Sequence, residues 1–308
     1  MTVCTLLYLL ACAFSAVLAV ATSQKQHVPL PPASELTQVF DFGPNPTNVG
    51  MYAYIPANVA KNPALIMALH YCGGTAQDFF NSTEYPALSE EKKSFILLYG
   101  DCPRVNGSKC WDVSTPETLK HDAGGDSLGV ASAIRFAIRN WNVDPRKVFV
   151  TGRSSGAMMT NVMLGSYPEL FKAGAASSGV AFGCFRSPTG IRGWSDQCAA
   201  GQLIMTGRQW GNQVRAAFPG YIGPRPKMQL WHGTADDTLN YQNFAEEIKE
   251  WTNVFGISEV PTDTEDSDPE ALYTHTVYGR GQLEAYSVED GPHNLPLHED
   301  RVLHFFEL

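Results

Sequence analysis

The chemistry in this sequence centres on Ser154, which stands in a Gly-x-Ser-x-Gly pattern between Gly152 and Gly156. A β-branched and aromatic run precedes the pattern and helix-favouring residues follow it, so we predict a strand, a tight turn and a helix. In such a turn the serine at the apex projects its hydroxyl away from the sheet. The following helix N-terminus offers unpaired N–H groups to a developing oxyanion. Ser154 is therefore a candidate nucleophile; the alternative is an ordinary βα turn whose hydroxyls cap the helix.

A serine hydroxyl is a poor nucleophile at neutral pH and needs a base, with a further group that orients the base. Two later strand ends supply candidates, since Asp236 follows a predicted strand at 228–231 and His293 follows one at 283–288. The chain order Ser154, Asp236, His293 is that of an α/β-hydrolase triad. We predict that His293 accepts the serine proton, while Asp236 holds the imidazole tautomer and stabilises the cation that forms.

Neighbouring polar residues have simpler interpretations. Asp237 competes with Asp236, which we prefer because the glycine turn ending at Ala235 leads directly into it. For His70 and His232, which end two predicted strands, we expect buried rings hydrogen-bonded to the backbone.

The predicted elements alternate along the chain. Continuous apolar runs at 64–70 and 95–99 are typical of strands buried on both faces. Apolar residues recur at helical spacing over 126–141, and 241–255 also reads as a helix. Further strands are predicted at 38–42 and 51–55, as an antiparallel edge, and at 148–150 and 173–178. This alternation predicts an α/β fold, mainly a parallel sheet with helices on both faces, with its sites at the carboxyl ends of the strands.

Residues 1–21 are apolar, carry no charged side chain and end in small residues at cleavage spacing. We predict a secretory signal peptide, followed by a single α/β-hydrolase domain over residues 22–308 of a secreted, extracellular protein. The alternative is a membrane anchor. The formal net charge of −9 argues against nucleic acid and anionic membrane surfaces, because both bind clustered Lys and Arg. We expect a monomer, without membrane attachment once the signal is removed.

Cysteines in an oxidising compartment predict disulfides. The cysteines that remain after the signal are Cys72, Cys102, Cys110, Cys184 and Cys198. Their odd number predicts two bridges and one free thiol. Local pairing joins Cys184 to Cys198, whereas Cys72 can pair with either Cys110 or Cys102. There is no C-x-x-C pair and no Cys/His ladder, so we predict no zinc site, no other metal and no cofactor.

Two further patterns concern the surface and one helix start. The run DAGGD at 122–126 suggests metal ligands, but Asp126 precedes an apolar-periodic helix and we expect it to be the cap. Sequons at Asn81 and Asn106 suit surface loops of a secreted glycoprotein.

Eight stretches of the chain carry a family resemblance: ALHYCGGTAQDFF, CWDVST, HDAGGDS, VFVTGRSSGAMMTNVM, YPELFKAG, FGCF, PKMQLWHGTADDTLNYQNF and DGPHNLPLH. They closely resemble fungal acetyl xylan esterases of the family-one carbohydrate esterases, a group that contains feruloyl esterases and is similar to polyhydroxybutyrate depolymerases. The resemblance is collinear over nearly the whole predicted mature chain, so it is far more specific than the serine turn alone.

The resemblance implies a secreted serine esterase that removes acetyl groups from acetylated xylan, a plant cell-wall polysaccharide, through an acyl-enzyme. It places the triad on the same three residues named above. It also carries an oxyanion hole onto the backbone N–H groups of Cys72 and Ser155. Feruloyl esterase is the main alternative, and a polyester depolymerase or a non-catalytic carbohydrate-binding hydrolase fold are further ones.

The resemblance also carries a substrate-contacting aromatic onto Trp194, whose face can stack on a sugar ring. The alternative is a tryptophan that packs on the loop between Cys184 and Cys198. The chain departs from the family pattern at Arg153, where a small hydroxyl residue is usual, and at Gly73, where threonine is usual. It also departs in a longer acidic insertion at 263–270. These departures bear on substrate preference and leave the mechanism unchanged.

Overall fold

A computed structural model describes residues 28–105 and 107–308. Its strands are β1 (Thr37–Gln38), β2 (Gly50–Tyr54), β3 (Ala64–Leu69), β4 (Phe95–Asp101), β5 (Val148–Arg153), β6 (Ala173–Ser177), β7 (Lys227–Gly233), β8 (Asp263–Asp266), β9 (Tyr273–Tyr278) and β10 (Leu283–Val288). Its helices are α1 (Ala76–Asn81), α2 (Tyr85–Lys92), α3 (Gly125–Asn140), α4 (Ser155–Ser166), α5 (Asp196–Ala199), α6 (Gly207–Ala217), α7 (Gln242–Phe255) and α8 (Glu299–Phe305), with a 3₁₀ turn at Pro168–Leu170. The predicted signal peptide and the sequon residue Asn106 lie outside the described residues.

All ten strands form one sheet in the order β1-β2-β4-β3-β5-β6-β7-β10-β9-β8. The six central strands, from β4 to β10, pair in parallel. Antiparallel pairs close both edges, β1 and β2 on one side and β9 and β8 on the other. The predicted fold class, an α/β fold with a mainly parallel sheet, is confirmed.

The core lies on both faces of this sheet, as β3 illustrates. Leu65, Met67 and Leu69 belong to one buried cluster, while Ile66 and Ala68 belong to the other. The first cluster includes residues of α3, α4, α6 and α7, and the second includes residues of α1, α2 and α8. Because successive side chains of a strand point to opposite faces, a strand covered by helices on both sides must be apolar at every position. This is why the sequence of β3 shows no alternation.

The two outermost strands of the sheet differ from the sequence prediction. The first predicted strand, at 38–42, is reduced to the two residues of β1. The acidic insertion contributes the exposed strand β8, which pairs with β9 as an antiparallel edge hairpin. Charged side chains on an edge strand discourage pairing with a second molecule. Within the described residues, the helices are all too short or too polar to cross a membrane.

Asp126 is not the cap of α3, contrary to the prediction. The helix is capped by Gly124, which has a positive φ of 130°, and Asp126 lies buried in the first turn. Its Oδ2 accepts a hydrogen bond from the Asp112 N–H at 2.9 Å and lies 3.6 Å from Nη1 of Arg192. Burial raises the pKa of Asp126, and the Arg192 charge opposes that rise. The side chain therefore joins two loops to the helix.

Candidate active site

Ser154 occupies the turn between β5 and α4 with φ 54° and ψ −120°. This positive φ is costly for a residue with a side chain, so it must be enforced by the surroundings. The flanking glycines show how: a Cβ at Gly152 would lie 2.4 Å from the carbonyl carbon of Gly156, and one at Gly156 would lie 2.0 Å from the Leu69 carbonyl oxygen. The close approach of α4 to β3 thus requires glycine, and Ser154 is held at the apex.

His293 lies beyond the end of β10 and points its ring at Ser154. The distance from His293 Nε2 to Ser154 Oγ is 2.9 Å. Two contacts hold this loop in place: Ser178 Oγ donates to the His293 carbonyl at 2.8 Å, and the Ala235 N–H donates to the Gly291 carbonyl at 3.0 Å. The predicted base therefore meets the predicted nucleophile, and the loop that carries it is tied to neighbouring strand ends.

Asp236 completes the arrangement on the other side of the imidazole. Its Oδ2 lies 2.7 Å from His293 Nδ1, and its Oδ1 accepts the N–H groups of Thr238 and Leu239 at 2.9 and 2.8 Å. Burial alone would raise the pKa of Asp236, but hydrogen bonds from His232, His293 and Leu239 outweigh burial and lower it. Asp236 is consequently ionised at neutral pH, whereas its competitor Asp237 is exposed.

These contacts select one protonation pattern. An ionised Asp236 accepts the hydrogen on His293 Nδ1, which leaves Nε2 as an acceptor for the Ser154 hydroxyl. The arrangement can remove the serine proton as the oxygen attacks an acyl carbon. It can then return that proton to a leaving oxygen.

The backbone N–H groups of Cys72 and Ser155 are the predicted oxyanion donors. Within the described residues, neither N–H has a hydrogen-bond acceptor. The two residues line one cavity of about 260 Å³ beside the serine turn. A hydrogen bond from the Gly73 N–H to the Lys109 carbonyl, at 2.8 Å, fixes the loop that carries Cys72. Free N–H groups in a fixed loop and at a helix N-terminus are suited to stabilising a negatively charged oxygen.

The cysteine pairing left open by the sequence is settled by proximity. Cys72 is bridged to Cys110, with 4.2 Å between their Cα atoms, and Cys184 is bridged to Cys198 as predicted. Cys102 is the free thiol and is 1% exposed. Burial raises the pKa of its thiol to about 12. The first bridge ties the Cys72 loop to the loop that follows β4.

Trp194 lies at the mouth of the cavity that Cys72 and Ser155 line, and it is 54% exposed. Its ring packs edge-on against Phe185 at a centroid distance of 4.9 Å, and it also lines a depression that contains Asp236 and Thr238. Arg192, two residues earlier, donates to the Cys110 carbonyl and lies near Asp126, so the loop is anchored. Trp194 thus combines a packed edge with an open surface beside the site.

A second depression contains Ser154 and His293 themselves. Its other lining residues are Tyr71, Ser82, Arg153, Thr238 and Asn294, with Cys72 shared with the cavity, and of these five only Arg153 was connected with the substrate by the sequence. Arg153 donates to the Leu295 carbonyl at 2.9 Å, and burial lowers the pKa of its guanidinium. In the sequence, the signal that Arg153 lines the site is its unusual position at the serine turn.

The described residues contain one group of side chains that could bind a metal. It lies on the β8–β9 hairpin, away from the predicted triad. Glu265, Asp268 and His275 bring ligand atoms within 4.8 Å of one another. Asp268 is already paired with His275 and with Arg301, both at 3.0 Å. Its charge is therefore balanced by protein groups.

Comparison with known proteins places this chain in a family. A family model described as Esterase PHB depolymerase matches residues 49–192. An acetylxylan esterase of Coprinopsis cinerea is 49% identical over 267 residues, which cover 86% of this chain and 70% of that protein. A probable acetylxylan esterase A of Aspergillus clavatus is 46% identical over 279 residues, covering 90% of this chain and 89% of that protein.

A solved structure points the same way. Acetyl xylan esterase from Aspergillus awamori superposes with a TM-score of 0.86 at 44% identity, and the match covers 89% of this chain and 99% of that one. Identity of this level over most of both chains, together with the same fold, establishes common membership. This chain belongs to the acetylxylan esterase family of α/β-hydrolases.

Proposed function

We propose that this protein is a serine esterase that removes acetyl groups from acetylated xylan, with Ser154, His293 and Asp236 as its catalytic triad. The observation that carries the proposal is the unbroken series of contacts from Ser154 Oγ to His293, at 2.9 Å, and from His293 to Asp236, at 2.7 Å. Relatives that bear the name acetylxylan esterase support the substrate class. An intact contact series also argues against a carbohydrate-binding protein without catalysis.

The first half of the reaction forms an acyl-enzyme. Ser154 Oγ attacks the acetyl carbonyl carbon while His293 Nε2 takes the hydroxyl proton. The carbonyl oxygen becomes an oxyanion and accepts the N–H groups of Cys72 and Ser155. As the tetrahedral intermediate collapses, the bond to the sugar oxygen breaks and His293 returns the proton to that oxygen. The deacetylated sugar leaves, and Ser154 carries the acetyl group.

The second half repeats these steps with water. His293 removes a proton from a water molecule, which attacks the acyl carbonyl carbon. The oxyanion forms again at the same N–H groups, and the bond to Ser154 Oγ then breaks. The serine oxygen recovers a proton from His293, and acetate is released. Asp236 keeps the imidazolium oriented and its charge balanced in both halves.

The cavity and the depression beside the triad suggest where each part of the substrate lies. Because His293 must protonate the leaving oxygen, we place the sugar in the open depression that His293 lines with Tyr71 and Asn294. The acyl group then lies toward the cavity that Cys72 and Ser155 line. Trp194 borders this cavity and also lines a depression with Thr238, which lines the sugar depression too, and we propose that its exposed face contacts the polysaccharide.

One observation favours a second candidate, a feruloyl esterase. The cavity beside the oxyanion donors measures about 260 Å³, which is more than an acetyl group fills, and aromatic side chains such as Trp111 and Phe185 line it. An aromatic acyl group is large, flat and apolar, and these walls match it. The comparison that separates the candidates is the rate of acetate release from acetylated xylan against ferulate release from a feruloylated arabinose ester. Faster ferulate release would replace acetylxylan with feruloylated arabinoxylan as the substrate.

The triad has its own test with a matched control. Asp236→Asn removes the charge that holds the imidazole, and we expect about a 10⁴-fold fall in kcat. Asp237→Asn changes the exposed neighbour and should leave kcat nearly unchanged. Ser154→Ala should lower kcat by about 10⁶-fold. Equal losses in the two aspartate variants, or more than a tenth of the activity in Ser154→Ala, would remove these residues from the mechanism.

We further propose that residues 1–21 are cleaved and that residues 22–308 act outside the cell as a monomeric single domain. The apolar leader and the two bridges support secretion, because such bonds persist in oxidising compartments. Asn81 is exposed at the end of α1, where its sequon can accept a glycan. N-terminal sequencing and intact mass of the protein recovered from culture medium, before and after deglycosylation, test these points. An uncleaved, cell-bound product would contradict them.

A further inference from the structure

A second histidine contacts the carboxylate of Asp236. His232 stands near the end of β7, four residues before Asp236, and its side chain is fully buried. Its Nε2 lies 3.1 Å from Asp236 Oδ2 and 2.9 Å from the Leu239 carbonyl oxygen. The ring makes T-shaped contacts with Tyr241 and Phe244, with centroid distances of 5.9 and 6.1 Å. Its orientation is therefore set on two sides by aromatic rings.

The contacts of His232 determine its tautomer. Both neighbours of Nε2 are acceptors, so Nε2 carries a hydrogen. Within residues 28–105 and 107–308, Nδ1 is buried and has no hydrogen-bond partner. A hydrogen there would be a buried donor without an acceptor, which is costly. His232 Nε2 therefore carries a fixed hydrogen, which it donates to the Leu239 carbonyl oxygen, and Asp236 Oδ2 lies 3.1 Å from the same nitrogen.

His232, Leu239 and Asp236 form a ring of mutual contacts. Leu239 donates its N–H to Asp236 Oδ1 at 2.8 Å and accepts from His232 through its carbonyl. Oδ2 of Asp236 lies 2.7 Å from Nδ1 of His293 and 3.1 Å from Nε2 of His232, so two histidine rings face the same oxygen. The carboxylate cannot turn about its bond to Cβ without losing contacts on both oxygens. His232 at Oδ2, together with the Thr238 and Leu239 N–H groups at Oδ1, thus sets the plane of the carboxylate and the direction in which it receives His293.

We propose that His232 is a positioning residue, whose Nε2–H fixes the carboxylate of Asp236 and withdraws part of its negative charge from His293. The inference rests on the proposed function, because it assigns His232 to the same reaction. Two consequences follow. Without this N–H the carboxylate is less well aligned, so turnover falls. The charge left on Oδ2 also favours the protonated imidazole of His293, so the enzyme needs a higher pH to reach full activity.

The test compares three substitutions by their kcat, KM and pH profile on a small aryl acetate. His232→Gln can place an amide N–H near the position of Nε2, whereas the shorter His232→Asn cannot reach it and His232→Leu has no donor. Relative to His232→Gln, we expect His232→Asn and His232→Leu to lose between about 10- and 100-fold in kcat with little change in KM. The acidic limb of the kcat/KM profile should move up by about half a pH unit in both.

A packing control separates this role from a structural one. Phe244→Leu disturbs the wall of the His232 ring but keeps the N–H, so it should lower the unfolding midpoint and leave the acidic limb in place. If His232→Leu does not fold, the comparison of His232→Gln with His232→Asn still tests the proposal. Matching kcat and pH profiles in that pair would overturn the proposal. A wild-type protein without activity on any ester would instead refute the proposed function.

Discussion

Helix α7 buries a carboxyl group that should make the protein less stable as pH rises. Glu247 is buried, and its Oε1 accepts a hydrogen bond from Asn161 Nδ2 at 2.7 Å. Within the described residues, Lys249 of the same helix pairs with Glu246, and no salt bridge reaches Glu247. Burial therefore dominates and raises the pKa of Glu247 to about 8, with the Asn161 hydrogen bond opposing the rise. At neutral pH the folded protein holds this side chain protonated, although an unfolded chain would release the proton.

The sign and size of the effect follow from proton linkage. The folded state has the higher pKa, so the stability from this group is fully present below pH 4.5 and is lost as pH rises toward about 8. Within that window one extra proton is bound by the folded state, and the free energy of unfolding falls by about 1.4 kcal/mol per pH unit. The total over the window is about 5 kcal/mol. This is a large fraction of the stability of a typical domain.

Glu247→Gln tests the reasoning because glutamine keeps the acceptor for Asn161 and cannot ionise. Urea unfolding of the disulfide-intact protein, followed by tryptophan fluorescence between pH 5 and 8.5, gives the free energy of unfolding at each pH. Up to about pH 8, the difference between variant and wild type should increase in favour of the variant by about 1.4 kcal/mol per pH unit, and above that pH it should level off. Parallel curves for the two proteins would refute the argument.

Glu246, the preceding residue, is the matched control. It is also buried, but it is 2.6 Å from Lys249 Nζ and accepts Trp210 Nε1–H at 2.7 Å. Burial would raise the pKa of Glu246, yet these hydrogen bonds outweigh burial and lower it. Its stabilisation is present above pH 4.5 and lost only at lower pH, so Glu246→Gln should destabilise the protein without changing the slope from pH 5 to 8.5. Burial and then the Glu247 charge raise the pKa of Glu250, so Glu247→Gln also removes one cause of the Glu250 shift, and the measured difference includes this coupling.

Three further outcomes are expected. Gly156→Ala places a Cβ 2.0 Å from the Leu69 carbonyl oxygen, so it should cost about 3 kcal/mol or more in urea unfolding and abolish esterase activity; normal activity would contradict the required contact of α4 with β3. Cys102 should resist iodoacetamide in the native protein and react after unfolding, as mass spectrometry would show, because its thiol is buried and its pKa is about 12. Trp194→Ala should lower kcat/KM on acetylated xylan much more than on a small aryl acetate; equal losses would make Trp194 a packing residue.

Local sequence was sufficient for the serine turn and the central strands. The glycines around Ser154 and the uninterrupted apolar run of β3 form patterns that are legible within a few residues, although the groups they pack against lie far away in the chain. A sharp βα turn requires glycine wherever it lies, and a strand covered on both faces must be apolar throughout. The chain order of Ser154, Asp236 and His293 could also be read directly, since the ends of parallel strands gather at one edge of the sheet.

Features that depend on distant contacts could not be read in this way. The partner of Cys72 depended on which of two nearby cysteines the loop after β4 brings to within bonding distance, and that was Cys110. Asp126 resembled a cap because its sequence neighbours suit one, but a loop that carries Arg192 covers it, and that loop is 66 residues away. The acidic edge strand β8 had no apolar pattern to reveal it, because its stability comes from pairing with β9.

The sequence by itself therefore determined the fold class, the candidate nucleophile, its base and the acidic residue, since each follows from periodicity, turn chemistry or chain order. Only the tertiary structure decided how these groups are supported. The second histidine at Asp236 Oδ2 is His232, which in sequence is only a buried histidine at a strand end. That contact exists because the turn from His232 to Leu239 folds back on itself, and such a return is a property of three-dimensional packing that local residue patterns do not encode.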